Sequence, residues 1–483
     1  MPTHTNHVSH AEPSTNGTAQ PAGQLTRTLA SGDAVIGVVG LGYVGLPLAS
    51  EYAAQGYRTI GFDVDAERVR RLNSGENYIQ DVDSEVLRRA VAQDLFAATV
   101  DFGALHEADV IYICVPTPVT DHKDPDTSYI EAASKAIAQH LRAGQLVILK
   151  STTFPGTTED LIQPILAEAA AERGLTLGTD YFLAFSPERI DPGNKKFTTT
   201  NTPVVVGGVT PACQEVATMA LEQVVEQIHP VSSAKAAEME KLLENIFRNV
   251  NIALVNELAQ LCDRMGDISV WEVIEAAATK PFGFMPFYPG PGIGGHCIPV
   301  DPHYLSWLAR KHDFETSFIT LSARINEQMP FHVVNAITKS IAEQPIRLRE
   351  AKVLLLGAAF KKNVSDTRHA PIFSVMEALR NEGVQHVDYS DPHVPTLHDE
   401  TSRDEAPLTS VELTPDAIAD HDVVVILTDH DAFPYDMIVE HAPAVIDTRN
   451  ALSAEAQERD TVRLLGGGDQ WARSGRRQES PQP

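Results

Sequence analysis

The sequence predicts an α/β fold with two Rossmann-like, doubly wound domains that are joined by a central helical domain with a long connecting helix. Three observations support this prediction. A glycine-rich strand–turn–helix unit begins near residue 34, a helical pattern occupies residues 233–265, and a second series of strands begins near residue 352. A chain of 483 residues is also too long for a single hydrophobic core.

The first domain opens with a dinucleotide-binding pattern. Ala34–Val39 is predicted as a strand, and the next predicted strand ends at Asp63. Between them, Gly40, Gly42 and Gly45 have G-x-G-x-x-G spacing. These glycines allow a tight turn and let a pyrophosphate approach the N-terminus of the following helix. An acid about 20 residues on binds the ribose 2′-hydroxyl and repels a 2′-phosphate, so the pattern favours NAD over NADP.

Further strands of this domain end in loops with polar residues. Thr117, Thr152 and Glu188 each lie in the loop after a predicted strand. Ligands of doubly wound folds bind at the carboxyl ends of the strands, which makes these loops candidates for a site. A hydroxyl such as that of Thr152 holds a water or a nicotinamide in one interpretation and only caps a helix in the other.

Residues 233–265 have the periodicity of a long helix that connects two domains and lines the cleft between them. Lys241, Asn245 and Asn249 are spaced at i, i+4 and i+8 and therefore share one face. Asn is a mediocre helix former, so its repetition indicates a buried polar stripe, with a hydrated stripe as the alternative. Apolar residues at three- and four-residue steps form a separate face: Leu243, Phe247, Val250, Leu254, Leu258 and Leu261.

A glycine-rich segment, Phe287–Asp301, reads FYPGPGIGGHCIPVD and contains a single thiol, Cys297. Glycines let backbone N–H groups come close to a ligand, which favours a reactive thiol in a binding loop. The alternative is a tight surface loop in which Cys297 is a small buried apolar residue. The choice depends on whether other segments supply partners for the thiol.

The strand pattern returns in the last third of the chain, beginning with Lys352–Leu356. This domain lacks the full glycine fingerprint, so we expect it to bind something other than a second dinucleotide. Lys361, Lys362 and Arg368 follow its first strand and provide local positive charge. Solvated surface cations are the alternative interpretation, and they are the usual outcome for Lys.

Composition excludes several classes of function. The net charge of −27 argues against nucleic acid and anionic membranes as partners. The four cysteines are far apart without CxxC spacing, so we expect neither a metal site nor a disulfide framework. No apolar run approaches the ~18 residues that span a bilayer, and the N-terminal segment lacks the apolar core of a signal peptide. We therefore expect a cytoplasmic, reduced protein.

Seven motifs, taken in order, resemble one family, the UDP-glucose/GDP-mannose dehydrogenases, over roughly residues 34–465. The motifs are Val39–Ala49 (VGLGYVGLPLA), Ile113–Val119 (ICVPTPV), Lys150–Thr157 (KSTTFPGT), Ser186–Asn194 (SPERIDPGN), Lys241–Glu257 (KLLENIFRNVNIALVNE), Gly290–Asp301 (GPGIGGHCIPVD) and Phe360–Arg368 (FKKNVSDTR). The fourth motif and the longer segment Thr279–Pro302 (TKPFGFMPFYPGPGIGGHCIPVDP) look most like the branch that oxidises UDP-N-acetylglucosamine, and next like the UDP-N-acetylmannosamine branch. UDP-glucose enzymes typically have a different residue where this chain has His296.

The resemblance implies an NAD-dependent, four-electron oxidation of a sugar C6 alcohol to a carboxylate, with two NAD⁺ consumed per turnover. The thiol has a clear purpose in this chemistry. Attack of Cys297 on the intermediate aldehyde gives a thiohemiacetal, and its oxidation gives a thioester that water hydrolyses. Cys297 is therefore the implied nucleophile.

The other catalytic residues are likewise implied by the matched motifs. Lys241 and Asn245 would stabilise the developing oxyanion, and their spacing of one helical turn puts both on one face. Asp301 would act as a general base or orient water near the thiol. Glu188 and Thr152 would position or activate water.

The motifs also imply two sets of binding residues. The set for NAD consists of Gly40, Gly42, Tyr43, Val44, Gly45, Asp63, Arg68, Thr117 and, from the last domain, Arg368. The set for the UDP-sugar consists of Tyr288, Gly290, Gly292, Gly294, Gly295, Phe360, Lys361 and Arg248. The motif does not define the role of Arg248, for which the diphosphate and the sugar are both candidate contacts.

The leading functional hypothesis is production of UDP-N-acetylglucosaminuronate for surface polysaccharide. The alternatives are the same reaction on UDP-N-acetylmannosamine or UDP-glucose, a two-electron hydroxyacid dehydrogenase, and an inactive NAD- or nucleotide-binding sensor. The apolar face of the central helix predicts a homodimer or a higher homo-oligomer. The expected domains are a disordered tail at 1–32, an NAD-binding domain at 33–215, a helical domain with the Cys loop at 216–332, a UDP-sugar domain at 333–465 and a disordered tail at 466–483.

Overall fold

The computed structural model describes most of the chain. The described residues are 21–79, 82–120, 122–189, 193–194, 196–295, 298, 300–398 and 407–468. They form two parallel-sheet domains with a helical domain between them, and this confirms the predicted fold class.

The first domain is built on an eight-stranded sheet with the order β3-β2-β1-β4-β5-β6-β7-β8. Its strands are β1 Ile36–Val39, β2 Thr59–Phe62, β3 Phe96–Thr99, β4 Val110–Ile113, β5 Leu146–Leu149, β6 Phe182–Phe185, β7 Val204–Gly208 and β8 Ile228–Pro230. All pairs are parallel except β6 with β7. The order reverses between β1 and β4, and a doubly wound sheet opens its ligand crevice at such a point.

Helices cover both faces of this sheet, so its inner strands are buried and read as continuous apolar runs. The helices are α1 Pro21–Ser31, α2 Gly45–Ala54, α3 Ala66–Asn73, α4 Ser84–Ala92, α5 Ser128–His140, α6 Gln163–Glu172 and α7 Pro211–Leu221. A 3₁₀ turn at Phe102–Glu107 precedes β4, and a π-helical stretch at Thr157–Ile162 runs into α6.

The predicted tail at residues 1–32 is wrong for the part that the structure describes. Residues 21–31 form α1, which packs against α7 through the buried side chains of Leu25 and Leu29. The Leu29 carbonyl also accepts a hydrogen bond from the Tyr57 hydroxyl at 2.7 Å. At the other end, the Gly466 carbonyl accepts from the Val270 N–H at 2.8 Å, so residues 466–468 pack against the central domain.

The central domain contains α8 Ala234–Met265, α9 Val270–Ala278, α10 Asp301–Arg310 and α11 Ser317–Ala342. α8 is about 48 Å long at 1.5 Å per residue, which makes it the predicted connecting helix. The Ser233 hydroxyl caps its first turn by accepting from the Ala236 N–H at 3.1 Å, and Gly266 ends it at φ +83°. The predicted limit at 215/216 falls inside α7, which packs on β6 and β7 of the first sheet, so that limit is wrong. The predicted limit at 332/333 falls inside α11, whose residues from Val333 to Ile341 contribute to the core of the last domain.

The last domain has a five-stranded parallel sheet with the order β10-β9-β13-β14-β15 and a small antiparallel pair, β11 with β12. Its strands are β9 Lys352–Leu356, β10 His386–Ser390, β11 Thr396–Leu397, β12 Leu408–Thr409, β13 Val423–Ile426, β14 Val445–Asp447 and β15 Val462–Leu464. Its helices are α12 Pro371–Glu382, α13 Pro415–Ala419, α14 Tyr435–His441 and α15 Ala454–Gln457, and a 3₁₀ turn at Leu348–Glu350 precedes β9.

The two faces of α8 have opposite environments. Lys241 and Asn249 of the polar stripe are buried and Asn245 is half-buried, as the composition of the helix predicts. The apolar face is largely exposed, and Leu243 and Leu254 keep 63% and 53% of their surface accessible. None of the described helices is long and apolar enough to cross a membrane.

Candidate active site

A cavity of about 760 Å³ lies at the carboxyl ends of β1, β2 and β4, where the strand order reverses. Seven residues predicted to bind the cofactor line it: Gly40, Gly42, Tyr43, Val44, Asp63, Arg68 and Arg368. Gly45 starts α2 directly behind it. Thr117 follows Pro116 at the cavity wall and accepts a hydrogen bond from the Tyr304 hydroxyl through its backbone carbonyl.

The three glycines of the fingerprint have different structural roles. Gly40 has φ +92°, and a Cβ there would lie 2.5 Å from the Cys114 carbonyl oxygen. A Cβ on Gly45 would lie 1.8 Å from the Gly40 carbonyl oxygen. Gly42 is open, with no atom within 4 Å of the position of a Cβ. The fold requires the first and third glycines, whereas the second leaves room for a ligand, and this open cradle fits the pyrophosphate of a dinucleotide.

The Gly42→Ala variant is expected to raise the KM for NAD about tenfold or more, because the added methyl group occupies the approach of the pyrophosphate. Its melting temperature is expected to stay unchanged, because the methyl group meets no protein atom. Gly23→Ala, at another open glycine on α1, is the matched control. Equal KM values for the two variants would contradict this role of Gly42.

Asp63 follows β2 and is 5% exposed. Its carboxylate accepts hydrogen bonds from the Leu41 N–H at 3.0 Å and from the Arg68 guanidinium at 2.9 Å. Asp63 therefore stabilises the glycine turn and also borders the cavity. Tyr78, which the sequence did not indicate, lines the cavity and donates its hydroxyl hydrogen to the Leu41 carbonyl at 2.5 Å.

Arg368 brings the last domain to the cofactor cavity. Its guanidinium lies 4.2 Å from the centre of the Tyr43 ring, within the range of a cation–π contact. Asp366 holds the same guanidinium with a 2.6 Å ion pair. The structure thus brings together two predicted cofactor residues that are more than 300 positions apart in the sequence.

Lys241, Asn245 and Asp301 meet where α8 passes the start of α10. Lys241 is 9% exposed and Asp301 is 2% exposed. The Asn245 amide donates a hydrogen bond to the Asp301 carboxylate. Burial raises the pKa of Asp301 to about 7, although the Asn245 hydrogen bond and the charge of Lys241 act to lower it. A carboxyl group with this pKa can change its protonation state near neutral pH, as a general base does.

Glu188 lies in the loop after β6 and pairs with Lys150 at 3.2 Å. Both side chains are nearly buried, with exposures of 11% and 2%. Thr152 is half-buried in the loop that Lys150 begins. Lys150 is the first residue of the motif KSTTFPGT, but the sequence did not indicate a role for it. In the structure it is the ionic partner of Glu188, a predicted catalytic acid.

Glu238 is a further residue that sequence reasoning missed. It is completely buried on α8, and its carboxylate accepts from the N–H groups of Gly156 and Thr158 at 2.6 and 2.9 Å and from the Thr158 hydroxyl at 2.7 Å. Burial raises its pKa to about 7. These bonds tie the loop that contains Thr152 to the helix that contains Lys241. Its position three residues before Lys241, on the same face, was the available signal.

The glycine segment packs against the last domain. A Cβ on Gly294 would lie 2.5 Å from Cβ of Phe360, and a Cβ on Gly290 would lie 2.6 Å from Nη1 of Arg449. The Gly295 N–H donates to the Arg368 carbonyl at 3.0 Å. Several of these glycines therefore permit a close approach between domains, a need that the sequence did not reveal.

The remaining predicted residues are more dispersed. Tyr288 is 47% exposed and stacks on Trp271, with ring centroids 5.7 Å apart. Lys361 is partly buried next to Phe360, and Gly292 borders a second, smaller cavity between the central and last domains. Arg248 is exposed on α8, beside the exposed Phe247. Cys297 lies outside the described residues.

Comparison with known proteins agrees with this arrangement. Three consecutive parts of the chain match the UDP-glucose/GDP-mannose dehydrogenase family: its NAD-binding domain at 34–229, its central domain at 235–328 and its UDP-binding domain at 354–454. The first of these ranges ends at residue 229, beyond the predicted limit of the first domain at 215/216.

Individual relatives cover most of the chain. The chain is 38% identical over 364 residues to UDP-N-acetyl-D-glucosamine 6-dehydrogenase of Pseudomonas aeruginosa, covering 75% of this chain and 83% of the relative. It is 36% identical over 401 residues to UDP-N-acetyl-D-mannosamine dehydrogenase of Pyrococcus horikoshii, covering 82% and 90%.

Solved structures show the same fold. The structure of the UDP-D-ManNAc dehydrogenase from Pyrococcus horikoshii superposes with a TM-score of 0.79 at 32% identity, covering 90% of this chain and all of that one. The three domain matches, the relatives that align with most of the chain and the shared fold lead to one conclusion. The chain belongs to the UDP-glucose/GDP-mannose dehydrogenase family of NAD-dependent oxidoreductases.

Proposed function

We propose that this protein oxidises the C6 hydroxyl of UDP-N-acetylglucosamine to UDP-N-acetylglucosaminuronate, for surface polysaccharide, through a thiohemiacetal and a thioester on Cys297. The observation that supports this most strongly is the cluster of the buried Lys241 and Asp301 with the half-buried Asn245. It lies at the end of the segment that contains the thiol and provides a cation, an amide and a carboxyl group of raised pKa.

In the first oxidation the C6 alcohol must lose a proton as it loses a hydride. When bound, NAD⁺ accepts the hydride in each of the two oxidations. Lys241 would stabilise the alkoxide that develops at C6, and the Asn245 amide would share that charge. Glu188, which Lys150 holds at 3.2 Å, would keep a water in place to take the proton.

In the second oxidation the Cys297 thiolate attacks the aldehyde carbon, and a C–S bond forms. Loss of a second hydride from that carbon gives a thioester. Asp301 in its ionised form would remove a proton from the water that cleaves the C–S bond, which releases the carboxylate and regenerates the thiol. Thr152 would orient this water through its hydroxyl group.

The choice of sugar rests on the motifs and on similarity. The segments SPERIDPGN and TKPFGFMPFYPGPGIGGHCIPVDP look most like the UDP-N-acetylglucosamine branch, and a relative named for that substrate is 38% identical. A relative named for UDP-N-acetyl-D-mannosamine is 36% identical, so the same reaction on that sugar is the second candidate. UDP-glucose is the third.

The test is an activity panel of UDP-hexoses and UDP-N-acetylhexosamines with NAD⁺ and NADP⁺. We expect two NADH per sugar, with the highest kcat/KM on UDP-N-acetylglucosamine. A yield of one NADH per sugar would instead indicate a two-electron dehydrogenase. Binding of NAD without turnover on any sugar would indicate a sensor.

We further propose that the protein is a homodimer through the exposed apolar face of α8. Side chains such as Leu254 and Leu258 are 53% and 37% exposed within one chain, and large exposed apolar patches mark association sites. The double variant Leu254→Asp/Leu258→Asp is expected to behave as a monomer in light scattering. Val100→Asp, at a 50% exposed position in the first domain, is the control and is expected to remain dimeric.

A further inference from the structure

Three asparagines lie between α8 and α11 with almost no exposed surface. Asn249, Asn256 and Asn326 are 2%, 0% and 5% exposed. Burial of an amide without hydrogen-bond partners is strongly unfavourable, so we expect each group to have partners in the structure. None of the three has a role in the chemistry proposed above.

Their amides form one continuous chain of hydrogen bonds. The Gly290 N–H donates to Oδ1 of Asn256 at 3.0 Å, and Nδ2 of Asn256 donates to Oδ1 of Asn326 at 3.0 Å. Nδ2 of Asn326 then donates to the carbonyl oxygen and Oδ1 of Asn249 at 3.1 and 3.4 Å. Nδ2 of Asn249 finally donates to the Ile298 carbonyl at 3.3 Å.

The hydrogen bonds in this series all run in one direction, and the two backbone groups at its ends determine that direction. A backbone N–H can only donate, so Asn256 must turn its oxygen towards Gly290. A backbone carbonyl can only accept, so Asn249 must turn its nitrogen towards Ile298. Rotation of any one amide by 180° would place two donors or two acceptors face to face. The arrangement therefore requires a side chain with both a donor and an acceptor at each position, and an ionised carboxylate would break it.

We propose that Asn249, Asn256 and Asn326 are positioning residues that hold the glycine segment at Gly290 and at Ile298, and so set its place against α8. This inference rests on the proposed function, because the segment between these two residues contains the thiol. Gly292 and Gly295 in this segment have φ angles of +132° and +91°, and glycine has wide backbone freedom, so hydrogen bonds to other segments limit the conformations of the segment.

The experiment uses the Asn326→Asp variant at two pH values. A protonated Asp side chain accepts from Asn256 and donates to Asn249, as the amide does, whereas the ionised form turns an anion towards the two oxygens of Asn249. Burial favours the protonated form, so the variant should keep the chain of hydrogen bonds at low pH and lose it at high pH. Glu327, His369 and Glu377 line the smaller cavity that Asn249 and Asn326 also border, and these three residues are unchanged in the control variant.

Asn335→Asp is the control, because Asn335 is exposed on the same helix. At high pH we expect the KM of Asn326→Asp for the UDP-sugar to be about tenfold above the control, with an unchanged KM for NAD. At low pH the two variants should agree within about twofold. Hydrogen–deuterium exchange can be measured without any substrate. The peptide around residues 287–300 should exchange faster in Asn326→Asp than in the control at high pH, and equally in the two variants at low pH.

Equal behaviour of the two variants at both pH values would overturn the proposal. So would faster exchange spread over the whole of α8 and α11, or a defect that does not depend on pH, since both would indicate lost packing alone. If wild type fails to oxidise any UDP-sugar while the peptide still shows pH-dependent exchange, the positioning role stands and the proposed function fails.

Discussion

Replacement of Cys297 by serine is expected to lower the steady-state rate of acid formation at least about a thousandfold. Serine retains the size of the side chain but is a far weaker nucleophile at neutral pH, so the aldehyde would not be captured. The first oxidation does not use the thiol, and a single turnover can still release up to one NADH per site. Product analysis by mass spectrometry would separate the aldehyde from the acid.

The matched control is Cys262→Ser, because Cys262 is a buried free thiol on α8. This variant is expected to retain acid formation within a fewfold of wild type. Nearly intact acid formation in Cys297→Ser would contradict the thioester route. It would favour a mechanism in which the aldehyde hydrate is oxidised directly.

Replacement of Asp301 by asparagine is expected to lower kcat about a hundredfold or more, because the amide cannot accept a proton from water. The pH profile should change as well. Burial raises the pKa of Asp301 to about 7, so wild-type kcat should rise as pH increases through that value and the carboxyl group ionises. The variant should lack this rise.

The stability of the folded protein should also depend on the protonation of Asp301, and the direction of this pH dependence follows from its raised pKa. Its pKa is raised from an ordinary value of 3.8 to about 7, so the folded state binds the proton more tightly than the unfolded state. The contribution of Asp301 to stability therefore falls as pH rises from about 4 to about 7. Over this range the melting temperature of wild type should decline relative to Asp301→Asn.

Asp313→Asn is the control for both measurements. Asp313 is exposed in the same domain, and asparagine tolerates its φ of +52°. The control should keep wild-type kcat and pH profile. If the rise near pH 7 persists in Asp301→Asn, then another group, with Glu238 as the first candidate, is responsible for it.

Much of the architecture was predictable because it depends on local patterns. Buried parallel strands require runs of apolar residues, and β9 has the predicted bounds. The cofactor cavity was predictable because one short unit, from Gly40 to Asp63, supplies the glycine turn and the acid that border it. The long helix α8 was visible from its periodicity and differs from the prediction by one residue at its start.

Other features depend on contacts between distant segments. α1 has only two buried leucines and a polar composition, and it is a helix because α7 covers those leucines. Glu238 and Lys150 bind partners that are distant in the sequence. Glu238 accepts a hydrogen bond from the Gly156 N–H, and Lys150 pairs with Glu188. The need for glycine at position 294 arises from Phe360, which lies 66 positions away in the sequence and only comes near in the folded chain.

The sequence by itself determined the family chemistry: the dinucleotide unit, the helix with its Lys and Asn stripe, and the glycine segment that contains Cys297 are short motifs whose meaning is local. The tertiary structure decided which polar groups become partners. It gave Asp301 the surroundings that raise its pKa, put Arg368 against Tyr43, and connected Gly290 to Ile298 through three amides. The physical reason is that burial and hydrogen bonding depend on the packing of α8, α10 and α11 together, and no single segment of the sequence contains that information.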